Sequence, residues 1–303
     1  MERAKVLVVE KSKSQRLFIK GALDQEKFDF LEASTGQEAI EAIRNEDVDV
    51  VLVSWVLDDM EGLELIGSYQ QDDTLLLPFI MLTSHAEESR IMTSLNAGAF
   101  DFIQKPAKSL ELNARIHGAV KFRQLQRKFL EMAIRDPLTG LFNRRYLQQK
   151  MDHMLPSYAN NQGTLALAII DIDFFKKVND TYGHDVGDVV IQQTGAILSA
   201  AVRDNDIVAR IGGEEFVVVL PDTEVSQARE IMNRIRSDAE KKSWGDRENP
   251  LSITMSCGIS EASLAEYNLD KILKLADEGL YYAKQNGRNQ VVTPDQLENK
   301  LTA

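Results

Sequence analysis

The residues of this chain that are best suited to chemistry are carboxylates placed at the ends of apolar runs. Asp171 ends one such run, and Glu214 and Glu215 follow the pair Gly212-Gly213, which stands between two others. Two glycines between apolar runs predict a tight β-hairpin turn. Glycine there lets the backbone take left-handed angles and approach a ligand closely. Carboxylates so placed are suited to holding Mg²⁺, although an ordinary hairpin with its acids in solvent also explains the turn taken alone.

The elements that must position these carboxylates predict an α+β unit over residues 136–295. The Asp-Pro pair at 136–137 ends a preceding helix, and a polar loop is predicted over residues 156–163. A helix is predicted over residues 269–284. Asp173, two residues beyond the first carboxylate, is interpreted as polar surface.

Residues 1–108 alternate short apolar strands with amphipathic helices. This alternation predicts a doubly wound, flavodoxin-like parallel sheet, and such sheets place ligand sites at the carboxyl ends of their strands. In the helix after the first strand, the apolar positions expected to face the sheet are Leu17, Phe18, Ala22 and Leu23.

This first segment resembles the response-regulator receiver domain. The motifs that carry the resemblance are Val6-Leu-Val-Val9, Met60-Glu-Gly62, Thr83-Ser84, Gly98-Ala99 and Lys105-Pro106. In that family an aspartate that ends the third strand is phosphorylated, and an acidic pair that ends the first strand holds Mg²⁺.

The segment departs from the family at the residues that accept phosphate. Ser54 stands at the aspartate position, and the acidic pair has become Glu10-Lys11. A serine hydroxyl is a weak nucleophile without an adjacent base, and Lys11 brings positive charge to the metal position. The family positions that still match are Thr83, Phe102 and Lys105. We therefore expect a degenerate receiver that serves in dimerisation or in docking a protein partner; the alternatives are phosphorylation of the serine by other means, or Asp58 or Asp59 as a displaced acceptor.

The second segment strongly resembles the GGDEF domain of diguanylate cyclases, with residues 212–216 as a GGEEF form of the signature. In that family two GTP molecules, one on each subunit of a homodimer, condense to cyclic di-GMP and release two pyrophosphates. The resemblance implies Mg²⁺ or Mn²⁺ as cofactor. It implies Asp171, the Ile172 carbonyl and Glu214 as metal ligands. Glu215 is then a further ligand or the group that activates the ribose 3′-hydroxyl.

The resemblance also implies residues that bind the nucleotide. Asn179 and Asp188 match the pair that reads guanine, whose edge offers N–H donors to a carboxylate and an acceptor to an amide; adenine does not fit, which disfavours an adenylate-type cyclase. Gly212 and Gly213 let the hairpin backbone lie against the nucleotide. The residues matching phosphate contacts are Lys284, Arg288 and the backbone near Phe174, Phe175 and Lys176.

A possible control site precedes the hairpin. Arg203 and Asp206 match the Arg-x-x-Asp site at which the product of this family binds and halts catalysis. An arginine there can bind phosphate or stack on guanine, while the aspartate accepts from base N–H groups. Arg234 is either the second arginine of this site or a solvated helix residue.

The segment 109–135, rich in helix-forming residues, predicts a connecting helix. Phe122, Leu125, Phe129 and Met132 are spaced three, four and three residues apart. This spacing is that of a coiled-coil seam, so we expect parallel pairing of two chains; a helix packed on its own domain is the alternative. The basic residues interpreted as solvated surface are Lys121, Arg123, Arg127 and Lys128.

Composition narrows the class of protein. The 303 residues are 44% hydrophobic and carry a formal net charge of −12, which argues against nucleic acid as a partner. Cys257 is the only cysteine, so no internal disulfide forms. No apolar stretch approaches a membrane span, and no secretion signal is seen at the N-terminus, so we expect a cytoplasmic protein with a polar tail over residues 296–303. The alternative to a cyclase is a protein of another class, a catalytically silent domain that binds GTP or cyclic di-GMP as a sensor.

Overall fold

The chain is described from a computed structural model, and its internal contacts divide it into two compact units, residues 1–130 and 131–303. The structure describes residues 3–70, 76–84, 88–161, 163–244 and 251–296. Most of the predicted polar tail, residues 297–303, lies outside them.

The first unit is a five-stranded parallel sheet in the order β2-β1-β3-β4-β5. Its strands are β1 (Ala4–Val9), β2 (Phe28–Ala33), β3 (Val50–Ser54), β4 (Phe79–Thr83) and β5 (Asp101–Gln104). Its helices are α1 (Lys13–Ala22), α2 (Gly36–Asn45), α3 (Gly62–Gln70), α4 (Glu88–Asn96) and α5 (Ser109–Ile134). This is the flavodoxin-like strand order, and the central strands β3 and β4 are buried along their whole length. The doubly wound fold predicted from the sequence is confirmed.

The face that α1 turns to the sheet differs from the prediction. Leu17 and Phe18 are 58% and 50% exposed, whereas Ile19 and Leu23 are buried in the core. Residues four apart lie on one face of a helix. The pair at 19 and 23 therefore forms the buried stripe, and the prediction for Leu17 and Phe18 was wrong.

The first half of α5 packs on the first unit. Leu112, Ile116 and Ala119 are buried in its core. Arg123 is only 6% exposed, and the Arg127 guanidinium makes ion pairs of 2.5 Å and 3.1 Å with Asp47 and Asp49 respectively. The basic residues of this helix are therefore not all solvated surface as predicted, because two of them hold the helix to its own unit.

The seam predicted on α5 is largely uncovered in this chain. The Phe122 ring lies 5.1 Å from the ring of Phe100, so its side chain is partly covered by its own unit. The three side chains that follow it, Leu125, Phe129 and Met132, are 45%, 68% and 76% exposed. This part of the helix is an apolar stripe that the single chain leaves open to solvent.

The second unit is a six-stranded mixed sheet in the order β11-β10-β7-β9-β8-β6. Its strands are β6 (Phe142–Asn143), β7 (Leu165–Ile172), β8 (Ile207–Arg210), β9 (Glu215–Pro221), β10 (Met255–Glu261) and β11 (Val291–Val292). Its helices are α6 (Arg144–Asn161), α7 (Phe175–Tyr182), α8 (His184–Ala201), α9 (Val225–Lys241) and α10 (Leu269–Gln285). Strand β7 is fully buried and runs antiparallel to both of its neighbours, β9 and β10. The α+β fold is confirmed.

Helix α6 continues through the predicted polar loop. It runs to Asn161 with Pro156 inside it. Met151, Leu155 and Tyr158 keep one side of the helix against the core on both sides of the proline. This burial outweighs the cost of a proline inside a helix, about 3 kcal/mol, so the loop predicted over residues 156–163 was wrong for most of its length.

Candidate active site

The Gly-Gly turn brings the predicted carboxylates together. In the register of β7 and β9, Asp171 lies directly opposite Glu215, and the Ile172 N–H donates to the Glu214 carbonyl at 3.4 Å. Residues opposite each other in an antiparallel pair have Cβ atoms about 5 Å apart. The pairing therefore places the end of β7 and the start of β9 side by side.

The glycines of the turn serve close approach rather than unusual backbone angles. Neither Gly212 nor Gly213 has a positive φ, so the left-handed conformation predicted for them was wrong. A Cβ on Gly212 would lie 2.7 Å from Glu215 Oε2. The Glu215 side chain thus folds back over the first glycine of the turn.

Asp171 is a buried carboxylate in a negatively charged site. It is 6% exposed, and burial raises its pKa to about 6; the charges of Glu214 and Glu215 act in the same direction, while Lys284 opposes them. Lys284 Nζ lies 2.8 Å from Asp171 Oδ2. The site therefore favours positive charge, and one ammonium group already supplies it.

Lys284 reaches Asp171 because α10 lies unusually close to the sheet. A Cβ on Gly258 of β10 would lie 2.0 Å from the Ala276 carbonyl oxygen of α10, and Gly279 faces it from the helix. Only glycine permits two backbones to approach this closely. The Gly258–Gly279 contact thus sets the position from which the last turn of α10 reaches the carboxylates.

The donor set fits a hard divalent cation that is completed by its substrate. Among the described residues, no group of three His, Cys, Asp or Glu side chains is arranged to hold a metal ion. Mg²⁺ is usually held by one or two carboxylates plus phosphate oxygens and water rather than by a full protein cage. Asp171, Glu214, Glu215 and the Ile172 carbonyl, which lie on paired strand ends, satisfy that smaller requirement.

Arg210, which the sequence argument did not single out, holds the Gly-Gly turn. Its Nε donates to the Gly212 and Gly213 carbonyls, each at 3.1 Å, and its Nη2 donates to the Gly213 carbonyl at 2.7 Å. Its Nη1 pairs with both oxygens of Asp136 at 3.0 Å and 3.2 Å. One planar guanidinium therefore joins the Gly-Gly turn to the segment that follows the connecting helix. The one feature of the sequence that could have pointed to this role is the position of Arg210, two residues before Gly212.

The residues predicted to read guanine lie where α7 meets α8. Gly183, with a φ of 87°, separates the two helices. Asn179 Oδ1 is buried and has no hydrogen-bond partner in the described part of the chain. A Cβ on Gly187 would lie 1.9 Å from this oxygen, and Asp188 beside it is exposed. The orphan acceptor and the neighbouring carboxylate offer a polar pair to a ligand.

The predicted phosphate contacts gather at the start of α7. Phe174 has a φ of 57° and no side chain caps the helix there. The Arg288 guanidinium lies 4.4 Å from the centroid of the Phe174 ring, while Phe175 is buried and Lys176 is exposed. The open N-terminal amides of a helix favour an anion, and Arg288 and Lys176 add positive charge near it.

The residues of the predicted control site lie at the end of α8. The Arg203 N–H donates to Asp206 Oδ2 at 2.8 Å, and the Asp206 N–H donates to the Arg203 carbonyl at 3.0 Å. Arg234 on α9 donates from Nη2 to the Ala201 carbonyl at 2.9 Å. The three side chains predicted for this site therefore belong to neighbouring parts of one surface.

The receiver pocket of the first unit is closed by its own side chains. Lys105 Nζ donates to Ser54 Oγ at 2.7 Å and pairs with Glu10, and Ser54 Oγ also donates to Glu10. Burial acts to raise the pKa of Glu10, but hydrogen bonds from Lys105, Ser54 and the Ser12 amide hold it below its ordinary value. The lysine that would bind a phosphoryl group is thus already neutralised.

The acids considered as displaced phosphoacceptors have other partners. Lys11 Nζ lies 3.9 Å from Asp58. Asp59 accepts from the amides of Gly36 and Gln37 at 2.8 Å and 3.0 Å. Thr83 is buried at the end of β4, beside this pocket. Asp59 therefore caps the N-terminus of α2, where its charge is favourable.

A receiver-type unit followed by an α+β unit is the arrangement of a response regulator with an output domain. Family models match both parts: the response regulator receiver domain over residues 6–117, and "Diguanylate cyclase, GGDEF domain" over residues 133–290. The chain belongs to the GGDEF family, and the resemblance stated from the sequence is confirmed. Domains of this family are generally metal-dependent.

Individual relatives agree with this assignment. The response regulator PleD of Caulobacter vibrioides is 33% identical over 303 residues, which cover 95% of this chain and 65% of the relative, so the chain spans about two thirds of that protein's length. Diguanylate cyclase A of Treponema denticola is 39% identical over 167 residues, 54% of this chain and 45% of the relative. The crystal structure of the coiled coil and GGDEF domain of DgcB from Caulobacter crescentus, in complex with c-di-GMP, superposes with a TM-score of 0.54 and 30% identity over 61% of this chain and all of that chain.

The helices of the described residues include none that is both long and apolar enough to span a bilayer.

Proposed function

We propose that this chain is a diguanylate cyclase that condenses two GTP molecules to cyclic di-GMP and two pyrophosphates. The observation that carries the proposal is the pairing of Asp171 with Glu215 across two strands, with the Lys284 ammonium 2.8 Å from Asp171. The Asn179 amide and the exposed Asp188 carboxylate, which resemble the guanine-reading pair of the family, support a guanine ligand. The GGDEF relatives named above support the same reaction.

Each side chain has a physical role in this reaction. Asp171, Glu214 and the Ile172 carbonyl would hold Mg²⁺ or Mn²⁺, which when bound polarises the α-phosphate and lowers the pKa of the ribose 3′-hydroxyl. Glu215 accepts the hydroxyl proton. Lys284 and Arg288 offset negative charge on the triphosphate in an in-line displacement. Asn179 and Asp188 orient the guanine.

A single GGDEF domain supplies one half of such a reaction, so we propose a symmetric homodimer. Leu125, Phe129 and Met132 on α5 support pairing through the connecting helix, because the single chain leaves them exposed. The receiver domain, taken as residues 1–108, would then serve in dimerisation or in docking a protein partner. Residues 109–135 would set the orientation of the cyclase domains, residues 136–295.

One assay tests the function directly. The protein is stripped of bound nucleotide, its oligomeric state is measured by light scattering, and it is incubated with GTP and either Mg²⁺ or Mn²⁺. Chromatography of the products should show cyclic di-GMP and pyrophosphate. A dimeric, nucleotide-free protein that binds GTP and yields no product would replace the cyclase with the rival function, a silent GTP or cyclic di-GMP sensor.

Product inhibition provides the next prediction. Arg203→Ala should raise the inhibition constant for cyclic di-GMP at least about 10-fold, since a hydrogen bond to a charged group contributes about 1.5–3 kcal/mol. The initial rate without added product should stay near the wild-type rate. The matched control is Arg229→Ala, which removes an exposed arginine of α9. An unchanged inhibition constant in Arg203→Ala would remove the inhibitory role from this site.

The receiver should not respond to phosphoryl donors. Acetyl phosphate or beryllofluoride with Mg²⁺ should change neither the cyclase rate nor the oligomeric state, because no aspartate stands at position 54 and Ser54, Glu10 and Lys105 are already bonded to one another. Rates and light scattering are compared with and without the donor, and intact-mass spectrometry reports any phosphate gained. Stoichiometric phosphorylation of Ser54 by acetyl phosphate would contradict the degenerate-receiver assignment.

A further inference from the structure

Asp173 is a buried carboxylate that the proposed chemistry leaves without a role. Its residue is 4% exposed, so the interpretation as polar surface was wrong. Ser256 Oγ donates to Oδ1 at 2.7 Å, Thr254 Oγ1 donates to Oδ2 at 2.8 Å, and the Asn289 N–H donates to Oδ2 at 3.1 Å. A buried charge is tolerated only where hydrogen bonds replace its water, and three donors from two other segments do so here. The carboxylate thus fastens the turn after β7 both to β10 with its leading residues and to the turn after α10.

The turn after α10 needs such fastening because its backbone is strained. Gly287, Arg288 and Asn289 have φ values of 102°, 63° and 46°, three left-handed residues in succession. Residues other than glycine keep this conformation only where the surroundings over-determine it. The Arg288 N–H donates to the Ala283 carbonyl at 3.0 Å, and the Asn289 side chain bonds to Arg236 and Glu240 of α9. Gln290 Nε2 donates to the Ala283 and Asn286 carbonyls, and Asp173 accepts from the Asn289 N–H, which makes it the one carboxylate in the described part of the chain that is bonded to the backbone of these three residues.

The same two segments carry a pair of residues proposed to contact phosphate. Phe174 follows Asp173 directly, and Arg288 precedes Asn289 directly. The Arg288 guanidinium lies 4.4 Å from the centroid of the Phe174 ring. The Asp173 carboxylate therefore helps to fix both residues of this contact. Phe174 is its neighbour in the chain, and Arg288 is the neighbour of Asn289, to which it is bonded.

From this arrangement we infer that Asp173 is a positioning residue for substrate, acting through Arg288 on the triphosphate of GTP. This inference rests on the proposed cyclase function, because that function identifies GTP as the substrate. It assigns to Asp173 no contact with the reacting atoms. Its effect is to hold the strained turn in the one conformation that places the guanidinium over Phe174.

A double-mutant cycle separates this role from a general contribution to stability. Asp173→Ala removes the acceptor of all three donors, and it should lower kcat/KM for GTP roughly 10- to 100-fold, the usual cost of losing a group that orients a functional side chain. Arg288→Ala should lower it by a comparable factor. The double variant should be within about threefold of Arg288→Ala alone, because residues that act through one another are not additive. Asp277→Asn, an exposed aspartate of α10, is the control for loss of a carboxylate and should match the wild type.

A second readout does not depend on turnover. Amide hydrogen exchange at Asn289, followed by NMR, should accelerate at least about 10-fold in Asp173→Ala relative to the wild type, while amides of β7 keep their protection. Should Asp173→Ala fail to fold, Asp173→Asn replaces it in both experiments. Asparagine offers one oxygen in place of two, so at least one donor loses its acceptor and kcat/KM should fall by a smaller factor, again non-additively with Arg288→Ala.

The outcomes are distinct. Multiplicative losses in the double variant, or unchanged exchange at Asn289 in Asp173→Ala, would overturn the positioning role. A wild type that makes no cyclic di-GMP would instead count against the proposed function. In that case the cycle is measured on the affinity for a non-hydrolysable GTP analogue by calorimetry, where the same non-additivity supports the inference and additive losses reject it.

Discussion

Replacing Glu215 by glutamine should lower the rate of cyclic di-GMP formation about a thousandfold, the middle of the range expected for losing a positioned proton acceptor. Glu215 faces Asp171 across the β7–β9 pair and folds over Gly212. Glutamine keeps this shape and packing but removes the charge that accepts the 3′-hydroxyl proton. The loss should fall on kcat more than on KM, because the carboxylate is needed most in the transition state.

The measurement is a set of initial rates at several GTP concentrations, with product quantified by chromatography. Glu278→Gln is the matched control, since it makes the same change at an exposed position of α10 and should keep the wild-type rate. Binding of a non-hydrolysable GTP analogue verifies that the Glu215→Gln site is intact. A Glu215→Gln enzyme that retains more than a tenth of the wild-type kcat would exclude this residue as proton acceptor or essential metal ligand.

The positions of the site carboxylates were predictable because each lies at one end of an apolar strand, Asp171 near the end of β7 and Glu214 and Glu215 at the start of β9, and strand ends are visible in local sequence. The ion-pair partner of Asp171, Lys284, was harder to predict. Lys284 is far along the chain, and it reaches Asp171 through the close packing of Gly258 against α10. That packing depends on the order of strands in the sheet, which hydrophobic periodicity does not encode. The resemblance to a family named Lys284 as a phosphate contact, and its pairing with Asp171 is a finding of the structure.

The environment of Asp173 was predicted wrongly from the sequence. Its place in a polar turn predicted exposure, yet the hydroxyls of Thr254 and Ser256 and a backbone amide enclose it. Burial of a single polar residue is decided by donors that arrive from distant segments, so no local pattern reports it. The same holds for the receiver pocket, where the substitution at Ser54 was visible but its closure by Lys105 and Glu10 was not.

Replacing Arg210 by lysine should lower kcat about 100-fold, although the positive charge is kept. The guanidinium of Arg210 bonds at once to the Gly212 and Gly213 carbonyls and to both oxygens of Asp136. An ammonium group is a point charge without this planar fork, so it does not hold both sides together. A shift of the turn by about 1 Å is enough to cost a factor of 100 when the reacting groups are on that turn.

A variant of Asp136 tests the contact between Arg210 and Asp136 separately from the contacts of Arg210 with the glycine carbonyls. Asp136→Asn leaves the arginine bonded to the glycine carbonyls but weakens its link to the segment that follows the connecting helix, so its kcat should fall less than that of Arg210→Lys. Arg229→Lys, an exposed substitution on α9, should have no effect.

Thermal unfolding is measured alongside the rates, because a loss of activity explained by stability alone would disappear on lowering the assay temperature. If Arg210→Lys keeps the wild-type kcat, the turn is held by its strands, and the guanidinium is dispensable to catalysis. If Arg210→Lys is slow and Asp136→Asn is intermediate, the contacts of Arg210 with Asp136 and with the glycine carbonyls together hold the turn in the position that catalysis needs.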